Sequence, residues 1–414
     1  MKRSIALLLI FTCLSLSGCM YSHEITDMAF AVALGFDKAE DGLLVSMQFA
    51  RPLSISGSGG EGGGGGGESS AGDDKDAAKN KNTTILSVKA EDFYTALSIA
   101  ENSLSKQINL SHAKLVVFSS ELAQDGIGDY VTMLMKNSQF SPNTYTAISL
   151  CKAKDYLGEA NPSLEVNPAK YYTLLFSRND SNFMPSTSLR DLYFDLYSPG
   201  KEPVLPAANL SKGGAKESSD GSPGEDFVAG EAKKESENKT DVSGLSAIKD
   251  GKLCGVLSAN EAAAYHMLTG ELKNTYISIK SVTRENEFIT IRLTQDAPPK
   301  ICVTEPEDVP QISAKIRLSG ELLKCPDEDI KKLGTDGLND MAARAVTARL
   351  SGFFNLTREQ LGADIVGFGK KAKMKFADYP SWKEYDWQKH YQKAEFSPEV
   401  SVNISREGLL HSGG

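Results

Sequence analysis

The sequence predicts an α+β protein: two or more mixed domains built on mainly antiparallel sheets with packed helices, joined by a flexible linker. Three observations carry that expectation. Paired apolar stretches flank Asp-Gly turns at Asp41-Gly42 and Asp250-Gly251, the pattern of β-hairpins. Segments with apolar residues three and four apart stand beside these hairpins instead of alternating regularly with single strands; strands in hairpins with helices set apart favour antiparallel sheets. Two stretches, 54–82 and 211–241, hold almost only Gly, Ser, Lys and acidic residues. Such segments bury too little apolar surface to offset the entropy of ordering them.

The first hairpin is "AFAVALGFDKAEDGLLVSMQFARP". A helix follows over Ala90 to Lys106, with Phe93, Leu97, Ala100 and Leu104 on one face. "KLVVF" and "TYTAISLC" read as strands, with a helix, "GDYVTMLMKN", between them. "PAKYYTLLFS" and "TSLRDLYFDLYS" have helical period, and Pro199 and Pro203 end the second. Beyond the linker, "LSAIKDGKLCGVL" is a hairpin. Ser258 and Glu261 form a capping box for a helix that stops at Gly270. "TYISIKSV", "EFITIRLT" and "ISAKIRLSGEL" alternate as strands. A helix is expected from about Asp336 to Phe353, with Leu338, Met341, Ala342, Ala345, Val346 and Leu350 on one side. Thr357 and Gln360 are expected to cap another, and "PEVSVNISREG" to form a last strand.

The chain opens with Lys2 and Arg3, then an apolar run ending in Leu16, Ser17, Gly18 and Cys19. The run falls short of the about 20 residues needed to cross a bilayer. A basic start, an apolar middle and small residues at the end are the marks of a secretory signal. The last four residues resemble the bacterial lipobox, in which the cysteine is lipidated and becomes the first residue of the mature chain. That resemblance makes 1–18 a lipoprotein-type signal peptide and Cys19 the lipid attachment site. The domains expected are then 19–210, carrying the Gly-rich insertion at about 54–82; the linker 211–241; and 242–410. The glycine run lacks the Gly-Lys-Ser/Thr ending of a phosphate-binding loop.

The formal charge is −9, and losing Lys2 and Arg3 makes it −9 − 2 = −11. An acidic exported chain is a poor binder of nucleic acid or anionic lipid surfaces. Four cysteines remain beyond Cys13 and Cys19: Cys151, Cys254, Cys302 and Cys325. They show no paired zinc spacing; Cys302 and Cys325 are either a disulfide or free buried thiols. None of the five histidines has a metal-ligand partner at motif spacing, and the serines show no nucleophile elbow outside the polar stretches. No catalytic residue, metal site or cofactor is expected. One aromatic segment, "YPSWKEYDWQKHYQKAEF", holds both tryptophans, Trp382 and Trp387. It reads as rings anchoring an irregular segment on the sheet in preference to a ligand cage or partner surface.

The C-terminal stretch "ADIVGFGKKAKMKFADYPSWKEYDW" resembles the end of the spore germination Ger(x)C family, the lipoprotein C subunits of nutrient germinant receptors. Asp364, Gly367, Phe368 and Gly369, with Trp382 and Trp387, stand where that family has its Asp-x-x-Gly-Phe-Gly segment and following tryptophans. "KDGKLCGVLSANE", "EITDMAFAVALGFDKAEDGLLVSMQFARP", "LSHAKLVVFSSELAQDGI" and "FMPSTSLRDLYFDLYSPGKEPVLPAANL" are similar to further family segments in the family's order. Met20-Tyr21 departs from the family's tryptophan after the lipidated cysteine, and the Gly-rich insertion is unusual. The resemblance implies a non-enzymatic subunit on the outer surface of the spore inner membrane, assembled with integral-membrane A and B subunits. Two other classes compete. A solute-binding lipoprotein of a transporter would show two α/β lobes, against the hairpins here; a lipid-anchored hydrolase would need the missing constellation.

Overall fold

The computed structural model describes residues 27–51, 83–160, 164–165, 167–177, 182–211, 226–232, 236, 238–304 and 309–405. The signal segment, Cys19, the insertion at 54–82 and most of 211–241 lie outside the described residues.

The first sheet comprises β1 (Met28–Ala39), β2 (Gly42–Ala50), β3 (Thr83–Ala90), β4 (Gln107–Asn109), β5 (Leu115–Ser119), β6 (Tyr145–Ser149), β7 (Val204–Leu210), β8 (Thr240–Lys249) and β9 (Lys252–Leu257). Their order is β3-β2-β1-β5-β6-β7-β8-β9, with β4 beside the start of β1. The second sheet is built from β10 (Thr275–Lys280), β11 (Phe288–Gln295), β12 (Lys300–Thr304), β13 (Gln311–Lys324) and β14 (Glu395–Ser405). Seven of the twelve strand pairings among the described residues are antiparallel. The architecture is α+β, as expected. Three of the five parallel pairings lie at the centre of the first sheet, where β1, β5, β6 and β7 run together, and another joins β13 to β14 in the second.

Both expected hairpins form. Ala39 pairs with Gly42, and Lys249 with Lys252. Asp250 (φ 50°) and Gly251 (φ 78°) both adopt the left-handed conformation that a two-residue turn needs to match strand twist. The central strands are covered on both faces. In β5, Val116 and Phe118 join one core with α1 (Phe93–Ser103), α2 (Ser120–Asp125), α3 (Gly128–Lys136) and α6 (Leu189–Tyr197). Leu115 and Val117 join another with α4 (Ala153–Glu159) and α5 (Pro168–Phe176). Asp37, buried at the end of β1, accepts the backbone N–H groups of Ala153 (2.7 Å) and Lys154 (2.9 Å) at the start of α4. A carboxylate there meets the positive end of the helix.

The second sheet packs one face on α8 (Asp327–Asn355), through Leu338, Ala342, Val346 and Leu350 at four-residue spacing. Gly334 (φ 65°, ψ −173°) breaks α8, so the segment from 335 matches the expected helix and an extra first stretch precedes it. The capping box holds for α7 (Ala259–Thr269): the Ser258 hydroxyl accepts from Glu261 N–H, the Glu261 carboxylate accepts from Ser258 N–H (2.7 Å), and Gly270 ends the helix at φ 81°.

The structure bears on three further expectations. The segment 211–241 does not stand between separate sheets, because β7 before it pairs with β8 after it from Val204↔Ala247 to Leu210↔Thr240. The hairpin β8–β9 therefore extends the first sheet, and the second sheet begins at β10. Thr357 and Gln360 do not cap a new helix. The chain continues from α8 into a π-helix, Leu356–Leu361, which Gly362 ends at φ 58°. The Thr357 hydroxyl instead donates to the Phe354 carbonyl (2.9 Å) and accepts from Tyr391 Oη (2.8 Å). Cys302 and Cys325 are free thiols, the first exposed on β12 and the second half-buried after β13.

Candidate functional site: the aromatic seam between the sheets

The seam forms where the loop 198–203, between α6 and β7, meets the segment 362–391 below the second sheet. That segment carries three short helices, α9 (Phe368–Ala372), α10 (Tyr379–Tyr385) and α11 (Trp387–Tyr391). Asp364 is its centre. The residue is fully buried. Its carboxylate accepts Gly367 N–H (2.8 Å), Gly369 N–H (2.7 Å) and Trp387 Nε1–H (2.9 Å). Burial pushes its carboxyl pKa up, and these donors pull against that shift.

The glycines of the Gly-Phe-Gly run have separate reasons. Gly367 sits at φ 93°, which turns its N–H back to Asp364. A side chain at Gly369 would strike Trp387 and the backbone of Gly200. Gly200 (φ 103°) in turn lies against Gly369 and the Trp382 ring. The two chain segments thus touch backbone to backbone, glycine on glycine. Glu202 N–H donates to the Asp364 carbonyl (2.8 Å) and closes the contact.

The rings above this point are packed. Trp382 is 1 % exposed and Trp387 3 %. Trp382 meets Phe376 edge-on (5.3 Å) and lies 6.2 Å from Trp387, while Tyr391 stacks on Phe368 (6.3 Å). The structural reading of the aromatic segment therefore accounts for both tryptophans. Trp382 Nε1 is buried with no acceptor among the described residues. Around the seam, Asp195 at the end of α6 binds Lys201 (2.6 Å) and Lys370 (3.0 Å), one cation from each side. Burial would lower the Lys201 ammonium, but Tyr265, Asp195 and Glu271 outweigh it and hold its pKa above the usual value. Glu202 is pushed up to about 7, first by burial and then by the neighbouring Asp250 carboxylate.

A polar cleft of about 630 Å³ opens beside the seam, lined by Arg190, Asp191, His266, Glu271 and Lys273 among others. His266 Nε2 donates to the Met184 carbonyl (2.9 Å), and its Nδ1 faces Glu271 (3.4 Å). The histidine ties α7 to the chain before α6 and is a buried structural residue. No group of three or more metal-ligating side chains occurs among the described residues, and no helix among them is long and apolar enough to cross a membrane. Cys19 lies outside them. Sequence reasoning found Asp364, Trp382 and Trp387 but missed Asp195, Gly200, Lys201 and Glu202. Their signals were the Ser-Pro-Gly-Lys break after an amphipathic helix and their place inside a segment similar to the family's, neither of which singles out a residue.

Two family models match, together spanning most of the chain. "Spore germination protein N-terminal domain" covers residues 21–210, and "Spore germination B3/GerAC like, C-terminal" covers 243–408. The boundary between them falls at the polar stretch, not at the change of sheet. Of curated relatives, the chain is 21% identical to spore germination protein KC of Bacillus subtilis (strain 168), over 100% of this chain and 96% of that protein. It is 27% identical over 214 residues to a protein of the same strain assigned by name to spore germination, YfkR, spanning about half of each, 51% and 52%. Among solved structures it resembles the crystal structure of the GerBC protein, with a TM-score of 0.51 at 13% identity, covering 90% of this chain and 96% of that one. That likeness concerns the fold.

Proposed function

This chain belongs to the Ger(x)C spore germination family, the C subunits of germinant receptors, and we propose from that premise that it is a lipid-anchored, non-enzymatic receptor subunit required for nutrient-triggered germination. The observation that carries the reading is the pair of germination domains in family order, following a lipobox-like Cys19. In this reading Cys19 bears the lipid, and the body sits at the outer surface of the spore inner membrane. It assembles there with integral-membrane A and B subunits. The non-enzymatic role is supported by how buried polar groups are used. Asp37 caps α4, Asp364 holds the Gly-Phe-Gly turn, His266 ties two elements together, and the Tyr172 hydroxyl donates to Gln48 (2.8 Å). Each serves packing.

Two measurements test the proposal. Mass spectrometry of the mature protein is expected to find an acylated Cys19 at its N-terminus, and Cys19→Ala to release the protein from spore membranes. Affinity purification from those membranes is expected to recover two integral-membrane partners. An unmodified N-terminus with unchanged membrane association would overturn the anchor, and recovery of the chain alone would overturn the assembly.

A further inference from the structure

We propose that the basic turn spanning the end of α9 and the start of α10, residues 370–383, docks on an anionic lipid surface with Met374 as its apolar tip. The proposal rests on the membrane placement above. Lys370, Lys371, Lys373 and Lys375 fall within six residues that contain no acid. Adding Lys383 and subtracting Asp378 gives 5 − 1 = +4 over 370–383, in a chain whose formal charge is −9. Asp378 is already engaged, capping α10 through Ser381 N–H (2.8 Å). Lys370 binds Asp195, and Lys373 lies over the Tyr379 ring (5.1 Å). Lys371, Lys375 and Lys383 are exposed and form no ion pair among the described residues.

A solvated charge run explains the lysines but not the apolar side chains set among them. Met374 is 71 % exposed and Tyr379 51 %. An acidic protein face would pair the lysines and leave Met374 against polar groups. A bilayer with anionic headgroups suits all three: phosphates meet the ammonium groups, the acyl boundary receives the methionine, and the tyrosine lies at the interface. The underside of the turn is fixed, with Phe368 and Ala372 buried and Phe376 packed on Trp382 (5.3 Å) and Tyr385 (4.8 Å). The tip is therefore presented already ordered. Seven residues, and so eight Cα–Cα steps, separate Cys19 from Asp27, a tether of at most about 29 Å, so a lipid-anchored body stays near the bilayer. The acidic total, which argued against anionic lipid, is an average over the chain. Beyond a screening length of about 8 Å a surface responds to local charge.

The experiment uses the mature chain with Cys19→Ser, so that no acyl group contributes, and phosphatidylcholine vesicles with and without phosphatidylglycerol. Co-sedimentation with the anionic vesicles alone, weakened by salt, is expected. Combining Lys371→Gln, Lys373→Gln and Lys375→Gln is expected to lower binding at least about tenfold. Met374→Ser is expected to weaken it severalfold without changing the salt dependence. An unchanged melting curve shows that these exposed changes leave the fold intact. Three results would overturn the proposal: no vesicle binding, equal binding to both vesicle types, or anionic binding that survives the triple substitution. Loss of partner co-purification in the triple variant without vesicle binding would assign the turn to an acidic protein instead. Since the lipid is absent by design, failure here leaves the Cys19 anchor standing, and failure of the anchor leaves vesicle binding readable.

Discussion

Strand β5 in the first sheet and strand β13 in the second bury their side chains in opposite ways. Every residue of β5 is buried, alternate side chains entering different cores on the two faces. In β13, Ile312, Ala314, Ile316 and Leu318 are buried, while Lys315, Arg317 and Ser319 between them are exposed. The difference follows from connectivity. Parallel neighbours need long crossovers; those around β5 and β6 lay helices on both faces, whereas the crossover from β13 to its parallel neighbour β14 lays α8 on one face. The second sheet has α8 on one face and water on the other. A substitution in the first sheet is therefore felt whichever way it points, and in the second only on alternate residues. The seam, where the two regions meet, should be the most sensitive point of all.

The largest effect is expected at Asp364. Asp364→Ala leaves three buried donors, from Gly367, Gly369 and Trp387, without their acceptor. At about 1–3 kcal/mol each, the loss should be on the order of 4 kcal/mol or more in denaturant unfolding. Asp37→Ala in the first sheet strands two donors at a helix start and should cost less. If Asp37→Ala proved the more damaging, the seam would not be the weak point of the molecule.

Trp382→Ala comes next, at about 3–5 kcal/mol for a fully packed tryptophan, since its ring is buried. Germination should fall in step with the amount of folded protein. A thermal melt beside a germination assay at matched protein level decides this. An unchanged melt with no germination would turn this ring from an anchor into part of a docking site.

Neighbouring residues test the two-sided and one-sided burial directly. Val116→Ala and Val117→Ala should each cost about 1–3 kcal/mol, because both positions are buried in different cores. Ile316→Ala should cost about 2–4 kcal/mol, but Arg317→Ala, on the open face, less than about 0.5 kcal/mol. Equal costs at Ile316 and Arg317 would mean that the open face is covered.

These same differences decided what was legible beforehand. Strict alternation made β10, β11 and β13 readable, and "KLVVF" was readable as a strand because an apolar run of that length suits one covered on both faces. β7 was missed: Pro206 sits within it, next to a register shift opposite β8, and a proline argues against an inner strand. β12 was missed because its five residues, Lys300–Thr304, are too few to establish a period. The alternation in "LSAIKDGKLCGVL" located a hairpin but not its sheet, since pairing of β8 with β7 spans a stretch that looks like a boundary. At the seam, the Gly-Phe-Gly run and the tryptophans stood out by composition. Their partner loop at 198–203 lies more than 150 residues earlier in the chain, and no local pattern records a contact of that separation.

The effect expected at Glu202, on the loop that joins the two regions, has the opposite sign. Its folded pKa is about 7 against an ordinary value of 4.5, raised by burial and by Asp250. Below pH 4.5 the carboxyl is protonated in both the folded and unfolded chain, so it does not disfavour folding. Between pH 4.5 and about 7 the unfolded chain releases the proton while the folded one retains it, and stability falls as pH rises. Above about pH 7 the loss is complete, at no more than about 3 kcal/mol for a shift of this size. Glu202→Gln keeps the shape and removes the charge. It should leave stability near pH 4 unchanged, raise it by about 1–3 kcal/mol at pH 8, and flatten the decline between. Denaturant unfolding of the wild type and variant across that range measures this directly. A variant less stable at pH 8 would show that the ionised carboxylate, through the Asp250 backbone N–H, holds the seam together instead of straining it.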